Sequence, residues 1–306
     1  MSSKLIKNVF IHSVALVIAV LIIIICSGIN CTTEPSFTRL VITGDLMGVI
    51  KDCSCPHGQP GGLARRKTVF DNIRKETPNA VFIDCGNLTD KNVNQELLRE
   101  LLYKLQYDVI CCYMCDYERL YSNKTTKLNP GDLPLLLCNY IYDKNIETLA
   151  QPLVKDDIDP SVLIISYTSQ SILSGTDSTA ISKDNKLLSW EDTINKYGTQ
   201  SSKFNGIVVL VCNWDYNDTD MLTVPPTIIQ DWKGLDVIII GGSGFIEPEV
   251  KRENGVITVY PGIYGEYVLI LDIWSENGKD ISKFEWEVIP TETVMPDSTF
   301  EVLIGN

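Results

Sequence analysis

Two neighbouring stretches, Gly61–Glu76 (GGLARRKTVFDNIRKE) and Ala80–Asn87 (AVFIDCGN), decide the fold. The first reads as a helix opened by a glycine pair. The second is a short, β-branched apolar run closed by Asp84-Cys85-Gly86-Asn87, the composition of a buried strand running into a polar turn. Upstream, Leu40–Thr43 is another such run, and it leaves through Gly44 to Arg66, GDLMGVIKDCSCPHGQPGGLARR. Strand, helix, strand in alternation implies right-handed crossovers and a mainly parallel sheet.

The pattern recurs. Further apolar runs are Val109–Cys112, Leu135–Cys138, Val162–Ser166, Ile207–Val211, Val237–Ile240, Val256–Tyr260, Tyr267–Ile273 and Phe284–Ile289. In NQELLRELLYKLQ, Leu97, Leu98, Leu101, Leu102 and Leu105 line one helix face. Ser189, three residues before Asp192, marks a further helix start. Beyond Ile240 the runs are joined by turns, so antiparallel pairing is expected there. The sum is an α/β protein with two stacked sheets flanked by helices, and no repeat or internal linker.

The chain has 306 residues and a formal net charge of −13; 44% of it is hydrophobic and 21% charged. This is a globular composition, and with no concentration of Lys and Arg a nucleic-acid partner is not expected. The N-terminus differs from the rest. Lys4 and Lys7 precede the apolar stretch Val14–Cys26, as in a secretory signal or signal anchor. Cys26 and Cys31 close that segment without a good lipobox. Export with tethering to the extracytoplasmic face of a membrane is expected, with residues 1–37 as anchor and short linker and 38–306 as the folded domain.

In open α/β folds ligands bind beyond the carboxyl ends of the strands. The residues there are Asp45; Asp84 to Asn87; Cys115-Asp116; Cys212-Asn213; and Gly241-Gly242-Ser243. With their frames, these segments resemble the calcineurin-like metallophosphoesterases, in their 5′-nucleotidase branch, from about Arg39 to Pro290. GGLARRKTVFDNIRKE and AVFIDCGN resemble the family's first helix and its Asp-x-Gly-Asp strand. YDVICCYMCDYE sits at the Gly-Asn-His-Glu turn, GIVVLVCNW at the strand ending in Ser-His, and LDVIIIGGSGF with YPGIYGEYVLILDI at the Gly-Gly-His-x-His strand and its hairpin. The resemblance implies a four-layer αββα sandwich of two mixed sheets, without the C-terminal substrate domain of full nucleotidases.

Family enzymes hold two metal ions that activate water and clamp phosphoryl oxygens. Carried over residue by residue, that ligand set is largely replaced here. Asp45 is kept, but the neighbouring His is Met47 and the bridging Asp is Asn87. The Asn and His of the third motif are Met114 and Cys115. The strand-end His is Asn213, and the last two His are Ser243 and Phe245. Two-metal hydrolysis is therefore not expected. A phosphoesterase with a remodelled site of Asp45, Asn87, Asp116 and cysteines is the enzyme alternative, and no catalytic residue is assigned.

Sulfur stands in several vacated places. Three readings of Cys53, Cys55, Cys85, Cys115 and Cys212 stand side by side. One is a soft-metal site beside Asp45 and Asn87 for a single zinc, copper or iron ion, held by Cys53, Cys55 and some of Cys85, Cys115, Cys212 and His57, although His57 in its Pro- and Gly-flanked loop reads more simply as a solvated residue. Another is disulfides, the loop cysteines tied to Cys85 or Cys115. The last is free thiols behaving as small hydrophobes, the reading given to Cys111, Cys112 and Cys138. The Cys53-Ser54-Cys55 loop before Gly-Gly-Leu-x-Arg-Arg resembles one in a divergent exported subgroup, some of whose members are joined to multihaem cytochromes, so envelope redox proteins are candidate partners. Cys112-x-x-Cys115 precedes Asp116, not His, so no haem attachment is expected. It reads as a strand end lacking a helix N-terminus. Arg65 and Arg66 read as surface residues of the first helix. An interaction scaffold whose cleft is filled by Met47, Met114 and Phe245 is the remaining alternative.

Overall fold

The computed structural model describes residues 37–51, 61–90, 92–121, 132–141, 151–169, 186–213, 231–242 and 247–305. All of them lie in one compact unit, Phe37–Asn306. Of residues 1–37, expected as anchor and short linker, only Phe37 is among them, and it opens the first strand of the folded unit instead of the linker. Among the described residues no helix is long and apolar enough to cross a membrane.

The first sheet contains β1 (Phe37–Thr43), β2 (Val81–Asp84), β3 (Val109–Ile110), β12 (Tyr267–Glu276) and β13 (Asp280–Pro290), in the order β13-β12-β1-β2-β3. The second holds β5 (Leu153–Lys155), β6 (Val162–Thr168), β8 (Ile207–Asn213), β9 (Val237–Gly241), β10 (Glu249–Glu253) and β11 (Val256–Tyr260), in the order β10-β11-β9-β8-β6-β5. A small ribbon pairs β4 (Tyr140–Ile141) with β7 (Lys186–Leu187). The helices are α1 (Leu63–Glu76), α2 (Gln95–Leu105), α3 (Met114–Tyr121), α4 (Trp190–Lys203) and α5 (Ser298–Ile304).

The apolar runs are unbroken because their strands are covered on both faces. In β1, Leu40 and Ile42 enter the core between the sheets, while Val41 enters the core under the helices. Val81 and Ile83 of β2 repeat the division around Phe82. Leu98, Leu101, Leu102 and Leu105 of α2 pack on the helix side, as their spacing predicts. On the outer face of the second sheet, Trp190 of α4 packs edge-to-face with Tyr167 and at a tilt against Trp232. The result is helix, sheet, sheet, helix. Helix starts follow their caps: Asn94 Oδ1 accepts from the amides of Glu96 and Leu97, and Ser189 Oγ from that of Asp192.

Three expectations change. Leu135–Cys138 forms no regular strand. Pro134 lacks an amide donor, and the segment makes only a bridge from Leu135 to Ile110 before Cys138 N turns to Ser166 Oγ of the second sheet, at 2.8 Å. The region after Ile240 is not wholly antiparallel, because β11 runs parallel to β9. The charged edge strand β10 (EVKRE) makes this possible: the Asn254-Gly255 turn, both residues at positive φ, brings the chain back between β10 and β9. α5 also follows the last strand, between Asp297 at its N-cap and Gly305 in the left-handed conformation at its end.

Candidate functional site

The carboxyl ends of β1, β2, β8 and β9 meet with the start of α3, so the topology gathers the segments flagged by sequence. After β1 the chain runs beside the β2 turn. Asp45 N donates to Gly86 O (3.1 Å), Met47 N to Asn87 O (2.7 Å) and Gly48 N to Leu88 O (3.0 Å). Asp45, Met47 and Asn87 all hold positive φ, a conformation that Asp and Asn tolerate better than most residues.

Asp45 and Asn87 are brought together as expected, but around a backbone amide. Gly242 N donates to both oxygens of Asp45, at 3.0 and 2.7 Å, and Asn87 Nδ2 donates to Oδ1 at 3.1 Å. Asp45 is 2% exposed. Burial pushes its carboxyl up to about 7, against the lowering effect of the Gly242 and Asn87 donors.

Asp116 is fully buried and turned to a structural task. Its Oδ1 accepts from Leu88 N (3.0 Å), Thr89 N (3.0 Å) and Thr89 Oγ1 (2.9 Å), and its Oδ2 from Tyr113 N (3.1 Å). The last bond is the reach-back of a first-turn carboxylate to the amide at the helix entry. Asp116 thus ties α3 to the β2 turn.

The thiols scatter. Cys85 and Cys212 lie in the core between the sheets, and burial raises both well above the ordinary thiol range. Cys115 is pushed up to about 12, by burial first and then by Asp116. Contrary to the sequence reading, it sits in the first turn of α3. The helix N-terminus does not offset the burial. The six described cysteines, Cys85, Cys111, Cys112, Cys115, Cys138 and Cys212, carry free thiols, so Cys85 and Cys115 take no part in a disulfide. Cys53, Cys55, His57, Ser243 and Phe245 lie outside the described residues. Met47 is at the surface, 40% exposed, and does not fill the cleft.

Sequence reasoning missed two residues. Tyr113 is buried, its ring against Gly86, and burial raises its pKa, with Asp45 adding to the rise. Its hydroxyl has no hydrogen-bond partner among the described residues. The signal was a large aromatic where the third motif of the resembled family has glycine. The other is Arg66, wholly buried rather than at the surface. Its Nη1 lies 3.2 Å from Asp84 Oδ2 and 2.8 Å from Tyr107 Oη. Asp84 also accepts from Thr43 Oγ1 (2.6 Å) and Gly86 N (2.9 Å), so this buried pair braces the turn that carries Asn87. Arg65 reaches the carbonyls of Glu292 and Val294.

This donor set does not fit a pair of divalent cations. Such a pair needs several anionic or imidazole ligands around both ions. Here one carboxylate, raised toward neutrality, stands with the amides of Asn87 and Asn213, and Asn213 Nδ2 is spent on Cys111 O at 2.8 Å. Among the described residues no three His, Cys, Asp or Glu side chains are grouped to hold a metal.

No family model matches the sequence, and a search of curated proteins finds no match. Solved structures do match. A 5′-nucleotidase precursor from Thermus thermophilus superposes with a TM-score of 0.69 at 15% identity, over 88% of this chain and 57% of that one. The calcineurin-like phosphoesterase YfkN from Bacillus subtilis gives 0.66 at 13% identity, over 89% and 96%. The NAD nucleotidase of Haemophilus influenzae gives 0.62 at 15%, over 84% and 57%. The chain spans just over half the length of the nucleotidases it matches. Its two mixed sheets and flanking helices are the fold of the calcineurin-like metallophosphoesterases, in the form that 5′-nucleotidases share.

Proposed function

We propose that this protein is a non-hydrolytic member of that fold: an exported, membrane-tethered binding scaffold at the cell envelope. The observation that carries the reading is the closed ring around Asp45. Both carboxylate oxygens are engaged by the Gly242 amide and one also by Asn87, in the place where the resembled enzymes require open anionic ligands. Tyr113 adds a bulky, buried ring beside it. Fold does not confer function when the site's chemistry is gone.

Of the described thiols only Cys115 is part-exposed, so a sulfur-built metal or redox site would depend on Cys53 and Cys55. The lysines at positions 4 and 7, followed by the apolar Val14–Cys26, support export and tethering. Assays of phosphomonoesters and phosphodiesters with Mg²⁺, Mn²⁺, Co²⁺ or Zn²⁺ test the reading. No turnover above buffer is expected; metal-dependent turnover that disappears in Asp45→Asn would overturn it. Protease accessibility with only the cytoplasmic membrane left intact tests the topology, and a folded domain shielded until that membrane is broken would contradict export.

A further inference from the structure

β13 is the edge strand of the first sheet, and among the described strands none lies on its outer side. An open edge is a template for pairing, and charged residues on such edges commonly guard against it. This strand carries charges, but of both signs, and their order is self-complementary. Its residues, DISKFEWEVIP, run from Asp280 to Pro290 with Glu285 at the midpoint.

We propose that β13 pairs antiparallel with the same strand of a second copy of this chain, about a two-fold axis at Glu285. In that register the strands overlap end to end. Lys283 then faces Glu287 of the other copy, twice by symmetry, and Phe284 faces Trp286. Ile281 faces Ile289. Opposite charges and aromatic pairs directly across a ladder stabilise it. Moving the axis to Trp286 sets Glu285 against Glu287 twice and leaves Lys283 opposite Ile289. The Glu285–Glu285 contact on the axis is the unfavourable element, and Lys283, 2.7 Å from Glu285 within each strand, screens it.

The exposures fit a waiting interface. Trp286 is 46% exposed, unusual for a Trp, and Lys283 and Glu285 are 56% and 61% exposed. Lys283 also lies over the Trp274 ring at 4.4 Å, so it is already held at the edge. A two-fold contact of this kind is isologous and closes on itself, giving a dimer and not a filament. The inference is independent of whether the Asp45 site is silent.

The test is site-directed crosslinking of the full chain in its membrane. Residues directly opposite in an antiparallel pair have Cα atoms about 4.5–5.5 Å apart, within disulfide span. Glu285→Cys on the axis is therefore expected to give covalent dimer under mild oxidation, above the wild-type background. Glu287→Cys, roughly 14 Å from its own copy in this register, is not. Adding Lys283→Glu to Glu285→Cys should abolish the crosslink, and adding Glu287→Lys as well should restore it. Equal crosslinking at 285 and 287, none at 285, or indifference to the charge reversal would overturn the proposal.

Discussion

The backbone amide of Gly242 donates to both carboxylate oxygens of Asp45, at 3.0 and 2.7 Å. One N–H thus engages both oxygens of the carboxylate. A partial positive charge faces the carboxylate, which is 2% exposed and is not strongly held in its ionised form. Through these contacts Asp45 joins the β1 loop to the end of β9.

The first prediction follows from the raised pKa of Asp45. A carboxyl pushed up to about 7 binds its proton more tightly folded than unfolded. Its contribution to stability is full below about pH 4 and is lost as pH rises through about 7. Asp236, pushed up to about 6 by burial, acts with the same sign. Chemical denaturation should show stability declining from pH 5 to pH 8. In Asp45→Asn, which keeps an acceptor for Gly242 N and remains neutral, the decline should be smaller. At pH 8 the variant should be the more stable by ~1–3 kcal/mol. A wild type that gains stability over this range would contradict the burial argument.

The second concerns Arg66, whose guanidinium is paired with Asp84 at zero exposure. Arg66→Met leaves Asp84 buried without its cation, at a cost of ~3–5 kcal/mol. Urea denaturation measures it. A loss below ~1 kcal/mol, typical of surface ion pairs, would mean that the arginine is not where the structure puts it.

The third concerns Tyr113, whose hydroxyl has no hydrogen-bond partner among the described residues. Tyr113→Phe removes a buried polar group and keeps the ring, so stability should be unchanged or rise by ~1 kcal/mol. A loss of more than ~1 kcal/mol would reveal a partner for the hydroxyl and a more polar cleft than the one described.

Much of this was written in the sequence. Short β-branched runs such as Val162–Ser166 and Ile207–Val211 announced strands buried on both faces, and the Ser189–Asp192 cap placed α4 correctly. β10 escaped because an exposed edge strand of charged residues, EVKRE, carries no apolar signal. Arg66 escaped for a related reason. A charge in an otherwise polar helix reads as solvated unless its partner is known, and Asp84 is eighteen residues away, joined to it only by the fold. At the site, the residues standing at the resembled family's ligand positions were legible one by one, but their contacts were not. The donor that closes on Asp45 is a main-chain amide, which no side-chain pattern encodes. Tyr113's size at a glycine position stands in the sequence, but its burial beside Asp45 is set by the fold.

The most direct measurement is equilibrium binding of Mn²⁺ to the full-length chain, with Asp45→Asn alongside. If the Asp45 ring has replaced the metal pair, no binding that depends on Asp45 will be found, and the two proteins will be indistinguishable. Two equivalents of tightly bound Mn²⁺ in the wild type, lost on Asp45→Asn, would contradict the account and restore the hydrolase reading.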